Sequence, residues 1–341
     1  MKEKGVLTEK MKNVFVTPAN KENETLAICE NISSAIPEVS CLYPIINSFS
    51  DNEMQYIYPQ SIRGSRIFIV GAINNLVNEK LMQLAVDAAR SARASEIIPL
   101  ITYLGYARQD IRDSNRSCLG VKVLIKALEV QGATSAITLD LHNPHVIGYF
   151  DIPIDHIDGF YIFREALLAY IHQLGHGDKK LGFISPDGGG IKRVSWTIEK
   201  VLQMNVFNKI DVTQVHCNKW RDKPDSISRM ELVGNVKDKH IIAIDDIADT
   251  CNTIIKCSEI VMNAGARSFS SMVTHAVMSN QQYSELVISK GKINKFYLSN
   301  SIPSYRPLQK NIIVVDITPV LVKVIRAIID NKSVNNALDH N

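Results

Sequence analysis

The sequence predicts an α/β protein made of two successive halves, each a mainly parallel sheet flanked by helices. Short branched-apolar runs alternate with helix-period segments along almost the whole chain, the signature of right-handed βαβ units. A turn-rich stretch, FDIPIDHIDG at 150–159, interrupts that alternation, and the pattern then restarts. With 341 residues there is room for two domains of ordinary size, each with its own core. We place a loosely ordered polar extension at 1–12, a first domain at 13–158 and a second at 159–341, with 319–341 expected to pack back on the first. No internal repeat marks the halves as copies.

In the first half the folded chain begins at 13–17, and 21–35 has helical spacing. Residues 67–71 are branched and apolar, as in a buried strand, and 78–92 form an amphipathic helix. A strand at 97–102, a helix at 121–131 and a strand at 136–139 complete it. The second half gives a helix at 163–174, a strand at 181–185 and a helix at 191–202. A strand at 240–244, a helix at 253–264, strands at 267–274 and 311–315 and a terminal helix at 319–330 follow. The charged segment 217–233 reads as a long mobile loop.

The composition is that of a soluble globular chain, 45% hydrophobic and 21% charged. Its 38 basic and 35 acidic residues are mixed along the chain, which argues against a nucleic-acid groove or a membrane patch. Six cysteines without a CxxC pair read as free thiols in a reducing compartment. The charged first residues lack the apolar core of a signal peptide, and no run approaches the ~18 apolar residues of a membrane span. A cytoplasmic protein is expected.

One stretch organises the second half: IIAIDDIADTCNTI at 241–254. A buried parallel strand runs into Asp245 and Asp246, then a turn of small and hydroxylated residues, then a helix. In open α/β sheets the ligand crevice lies beyond the carboxyl ends of the strands. Asp245 and Asp246 are expected to face it, suited to sugar hydroxyls or a hydrated Mg²⁺. Thr250, Cys251, Asn252 and Thr253 would offer a phosphate their backbone N–H groups at a helix N-terminus. On composition alone, a polar turn capping an ordinary helix is an equal reading.

The full string DDIADTCNT resembles the phosphoribosyl-diphosphate loop shared by type I phosphoribosyltransferases and ribose-phosphate pyrophosphokinases. The rest of the chain separates the two. YARQDIRDSNR at 106–116 follows a strand and, with Lys122, gathers Arg108, Arg112 and Arg116 where a polyphosphate would sit. It resembles the ATP-binding segment of ribose-phosphate pyrophosphokinases, which ordinary phosphoribosyltransferases lack. FSDNE at 49–53, TLDLH at 138–142, SPDGGG at 185–190 and CNKWRD at 217–222 resemble further motifs of that family, in its order. The likeness spans roughly 13–335. It implies two tandem type I phosphoribosyltransferase-like domains and transfer of the diphosphoryl group of ATP to the C1 hydroxyl of ribose 5-phosphate.

The resemblance also implies roles. Lys219 and Arg221 are the catalytic pair of a flexible loop. Phe49, Asp51, Glu53, Arg108, Gln109, Asp113 and His142 bind ATP, with the Phe49 loop reaching into a neighbouring subunit. Asp245, Asp246, Asp249, Thr250, Cys251, Asn252 and Thr253 bind ribose 5-phosphate. His142, Asp187 and Asp140 hold Mg²⁺. A homo-oligomer, a hexamer built from dimers, is expected. Asn52 and Asn252 stand where the family has Gly, and the 331–338 end matches only in part. If Asn252 needs φ > 0, Asn is the best substitute for Gly, at about 1–2 kcal/mol of strain. Its side chain would crowd the 5-phosphate or donate to it. The alternative reading is a weakly active or inactive homologue that regulates such an enzyme.

Overall fold

The structure, a computed structural model, describes residues 13–112, 114–174, 180–204, 211–220, 229–302 and 309–339. They fall into two compact units. The first takes the described residues up to Thr138, Asn143–His156 and the chain from Leu321 onward. The second takes Leu139–His142 and Ile157–Val320.

The first unit contains β1 (Val14–Pro18), α1 (Asn23–Ala35), β2 (Val39–Cys41), β3 (Ile45–Ser48), β4 (Met54–Ile57), β5 (Arg66–Ala72), α2 (Leu76–Ser91), β6 (Glu96–Tyr103), α3 (Gly120–Gln131), β7 (Ala136–Leu139) and β8 (Ile154–Ile157). Its six-stranded sheet has the order β2-β1-β5-β6-β7-β8. The β1, β2, β5, β6 and β7 pairings are parallel. The central strand β5 is buried from Ile67 to Ala72, as a sheet covered on both faces requires. β3 and β4 form a separate antiparallel hairpin. Four-residue strands with mostly exposed side chains gave the sequence no apolar run to show, so this hairpin was not read there.

The second unit contains α4 (Gly159–Gln173), β9 (Lys180–Ser185), α5 (Ile191–Gln203), β10 (Asp211–Trp220), β11 (Arg229–Val233), β12 (His240–Ala248), α6 (Asn252–Asn263), β13 (Ser268–Ala276), α7 (Gln281–Lys290), β14 (Phe296–Ser299) and β15 (Ile312–Val315). The seven-stranded sheet has the order β11-β10-β9-β12-β13-β14-β15, parallel except for β10 against β11. Phe183, Phe269 and Phe296 are fully buried in its core. The last helices are α8 (Thr318–Ile329) and α9 (Val334–Asp339). Within the first unit, Arg66 donates to the Ile328 carbonyl at 3.1 Å and Arg326 pairs with Glu38 at 3.0 Å.

Two expectations are corrected. The described ends of 217–233 are paired strands rather than loop, from Cys217↔Leu232 to Trp220↔Arg229. Val215 and Cys217 face inward at period two, between Gln214, His216 and Asn218. β12 also continues past Ile244, because its pairing with β13 runs through Asp245↔Val273 to Ala248↔Ala276. The two carboxylates therefore sit within the strand, and the turn begins three residues later.

Candidate active site

Asp245 and Asp246 occupy successive positions of β12, and the Asp246 N–H donates to the Asp245 carboxylate at 3.0 Å. The two carboxylates differ sharply in partners. One oxygen of Asp246 meets His142 Nδ1 at 2.7 Å, and the other accepts from Arg193 at 3.3 Å. Burial alone would raise the Asp246 pKa, but Arg193 first and His142 next outweigh it and hold the carboxyl well below the usual range. Asp245 shifts the opposite way, raised by burial and by the charges of Asp246 and Asp187. Neighbouring acids pushed apart by burial and charge are common at functional sites and also occur in structural ion-pair networks.

Arg193 is the centre of this arrangement and was missed in the sequence. From α5 it reaches Asp140 at 3.3 Å, Asp246 at 3.3 Å and the Leu141 carbonyl at 3.1 Å. Burial works against its charge, yet Asp140, Asp246 and Asp245 together hold it firmly protonated. One signal was available: Arg193 precedes Val194 and shares the helix face of buried Thr197 and Val201 at i+4 and i+8. Thr274 also donates to Asp140. Gly159 completes the packing, since a Cβ there would lie 2.5 Å from Thr274 Oγ1. The cavity among these groups measures about 20 Å³, room for one water. This network is a packed interior, too small to admit a sugar phosphate.

Of the three residues expected to hold Mg²⁺, Asp140 is the most enclosed. Its carboxylate is 3% exposed and is taken by Arg193 and Thr274. His142 and Asp187 fit better. His142 is 40% exposed with Nδ1 fixed by a carboxylate, the arrangement that orients metal-binding imidazoles. Asp187 is half-buried, and its carboxylate accepts the Gly189 N–H at 3.0 Å within the SPDGGG turn. Among the described residues no three His, Cys, Asp or Glu side chains cluster as a closed cage. Mg²⁺ is ordinarily held by one or two carboxylates plus substrate phosphates, so the two residues suit it.

Beyond β12 the chain turns at Cys251, φ 59°, into α6, whose first residue is Asn252. The condition raised for Asn252, a positive φ, is met at Cys251 and not at Asn252. Thr250 is exposed at the turn. The Asp249 carboxylate accepts from Ser279 N at 3.1 Å and Ser279 Oγ at 2.7 Å, and the Asp249 carbonyl accepts from Ser284. Asp249 thus braces the loop against the segment after β13. Asn252→Gly has no backbone strain to relieve, and its helix position disfavours Gly. We expect a small loss of stability, about 0.3 kcal/mol, in a thermal melt; a clear gain would restore the strain argument.

Asp158 precedes α4, and burial and the Asp140 charge push its pKa up to about 6, against Arg193 and Lys200. A raised carboxyl contributes its stability below the unfolded pKa of about 3.9 and loses it as pH rises through 6. Asp158→Asn should therefore stabilise the protein at pH 8 by up to about 2 kcal/mol and change little at pH 4. Melts of both proteins at the two pH values check this.

In the first unit, Phe49, Asp51 and Glu53 are exposed around the β3–β4 turn. Asp51 accepts the Glu53 N–H at 3.1 Å, and Asn52 takes φ 68°, a conformation Asn tolerates. Arg108 and Gln109 are exposed just after β6, on a turn where Tyr106 has φ 57° and Tyr149 donates to the Asp110 carbonyl at 2.6 Å. Arg112, Arg116 and Lys122 are exposed nearby in sequence. Lys219 lies on β10 opposite Met230. Its side chain, Arg221 and Asp113 lie outside the described residues.

Comparison with known proteins decides the family. Residues 16–132 match the N-terminal domain of ribose phosphate pyrophosphokinase, and 202–338 match the phosphoribosyl synthetase-associated domain. The ribose-phosphate pyrophosphokinase of Campylobacter jejuni is 34% identical over 293 residues, covering 85% of this chain and 89% of that protein. The chain belongs to the ribose-phosphate pyrophosphokinase family. Ribose-phosphate pyrophosphokinase A of Dictyostelium discoideum is 33% identical over 261 residues, 76% of this chain and 77% of its own. The crystal structure of phosphoribosylpyrophosphate synthetase from Mycobacterium smegmatis superposes with a TM-score of 0.80. Its sequence identity is 22%, and the match covers 94% of this chain and all of that one, so it establishes the shared fold. Ribose-phosphate pyrophosphokinases are transferases, and the two-sheet α/β architecture is theirs. No helix among the described residues is long and apolar enough to cross a membrane.

Proposed function

We propose that this family member transfers the β,γ-diphosphoryl group of ATP to the C1 hydroxyl of ribose 5-phosphate, yielding 5-phosphoribosyl 1-diphosphate and AMP. The observation that carries the reading is β12 with its two acids, followed directly by the Thr250–Thr253 turn at the N-terminus of α6. That helix end offers N–H groups and a favourable dipole to the sugar's 5-phosphate. Asp245, partly exposed, takes a ribose hydroxyl. Asp246 stays ionised under Arg193 and orients His142, so its sugar contact is secondary.

The C1 oxygen bonds to the β-phosphorus while the bond from that phosphorus to the AMP oxygen breaks. Such transfer needs mainly alignment and charge neutralisation. Arg108 and Gln109 bind the polyphosphate, Phe49 stacks on adenine in a neighbouring subunit, and Asp51, Glu53 and Asp113 meet its polar edge. Lys219 and Arg221 neutralise charge on the bridging oxygen and the leaving AMP. Mg²⁺, held by His142 and Asp187 with the phosphates, supplies further charge neutralisation when bound. We propose a dimer-based hexamer, since the Phe49 loop serves a second subunit, and a cytoplasmic location with neither nucleic acid nor membrane as partner.

The product identity tests this reading. Incubation with ATP, Mg²⁺ and ribose 5-phosphate should release AMP, resolved by ion-exchange chromatography, only when the sugar phosphate is present. ADP as the product sinks the diphosphoryl assignment, and ATP that is bound but not consumed favours the regulatory-subunit reading.

A further inference from the structure

The second unit buries two thiols against each other. Cys217 on β10 and Cys257 on α6 are both inaccessible to solvent, and their sulfurs stand 3.6 Å apart, 40 residues apart in sequence. They sit in one apolar cluster with Val215, Ile254 and Val261. A disulfide needs the sulfurs about 1.5 Å closer.

We propose that Cys217 and Cys257 form a reversible oxidation site, a dithiol that a hydroperoxide converts to a disulfide joining β10 to α6. Geometry supports a division of labour. The Cys257 thiol hydrogen-bonds Cys217 and lowers its pKa despite the opposing effect of burial, whereas that same bond raises Cys257 above its ordinary value. Cys217 is therefore the attacking thiolate. It cleaves the O–O bond to give a sulfenic acid and releases one water equivalent. The Cys257 sulfur then displaces hydroxide from that sulfenic acid, its thiol proton leaving with the second water. Two thiols and one H₂O₂ become one disulfide and two waters.

Access is supplied by the position of β10 in the sheet. Only β11 lies outside it, so opening of the β10–β11 hairpin uncovers Cys217 without disturbing the central strands. Oxidation is thus paced by local opening, and the product locks that opening shut. On the reading above, the bond ties the base of the Lys219 segment to the helix that cradles the 5-phosphate. That consequence rests on the proposed function, whereas the bond itself does not.

The test uses the full-length reduced protein and hydrogen peroxide, with proteolysis and mass spectrometry under non-reducing conditions. The expected result is a peptide pair linked through Cys217 and Cys257, two hydrogens lighter than its parts, absent in Cys217→Ser and Cys257→Ser and reversed by dithiothreitol. Amide hydrogen exchange along β10 and β11 should slow about tenfold in the oxidised protein. Both readouts are independent of turnover, so an inactive chain would leave them intact. Oxidation of exposed Cys118 with Cys217 and Cys257 left as thiols overturns the proposal. A linked pair that leaves hairpin exchange unchanged overturns it too.

Discussion

Replacing Arg193 with Met should cost the protein about 3–5 kcal/mol at neutral pH, the largest stability effect expected from any single change. The guanidinium holds two carboxylates that are almost fully buried, Asp140 and Asp246, and closes on the Leu141 carbonyl. Methionine fills similar space but leaves Asp140 without its cation and Asp246 with His142 alone. Asp246 has a depressed pKa, so its contribution is present above the unfolded carboxyl pKa and fades as pH falls through the folded value. The deficit of Arg193→Met should therefore be widest near pH 7 and shrink in acid. Lysine keeps the charge but loses the planar fork that spans three acceptors, so Arg193→Lys should fall between. Urea titrations across pH check the order. A Met variant as stable as the parent at pH 7 contradicts the network.

Lys219→Ala should lower turnover at least 10²–10³-fold, by analogy with loss of one donor to a developing oxyanion. Ribose 5-phosphate binding should stay nearly intact, because the proposed function puts the phosphate at the β12–α6 turn and not at Lys219. The position of Lys219 is consistent with this role, on β10 two residues beyond Cys217 and next to Trp220. Steady-state kinetics give turnover, and calorimetric titration gives the sugar phosphate affinity. Near-normal turnover refutes the assignment, and a parallel loss of affinity moves Lys219 from the transition state to ground-state binding.

What the sequence disclosed follows the physics of each signal. β12 and α6 were legible because a branched-apolar run, two acids and a hydroxylated turn are local features that no distant residue needs to explain. β7 was read at 136–139, as the structure has it, because all four residues are buried. β14, equally short and equally buried, was not read. The pairing of β10 with β11 was hidden because only two residues, Val215 and Cys217, are buried along the described part of β10. Whether Asn252 turns the chain was left conditional, since sequence alone does not say which of two adjacent residues does so, and the left-handed residue is Cys251. Arg193 was least legible of all. Its partners lie 53 residues away on either side, and only the folded sheet brings Asp140 and Asp246 to one guanidinium.

The central claim is that this chain moves a diphosphoryl group onto C1 of ribose 5-phosphate, and a ³¹P NMR time course with ATP, Mg²⁺ and the sugar phosphate tests it most directly. The account predicts that the ATP signals decline as AMP and a new C1-diphosphate pair grow in equal amounts, both dependent on ribose 5-phosphate. ATP that persists for hours alongside a protein shown to bind it would contradict the account.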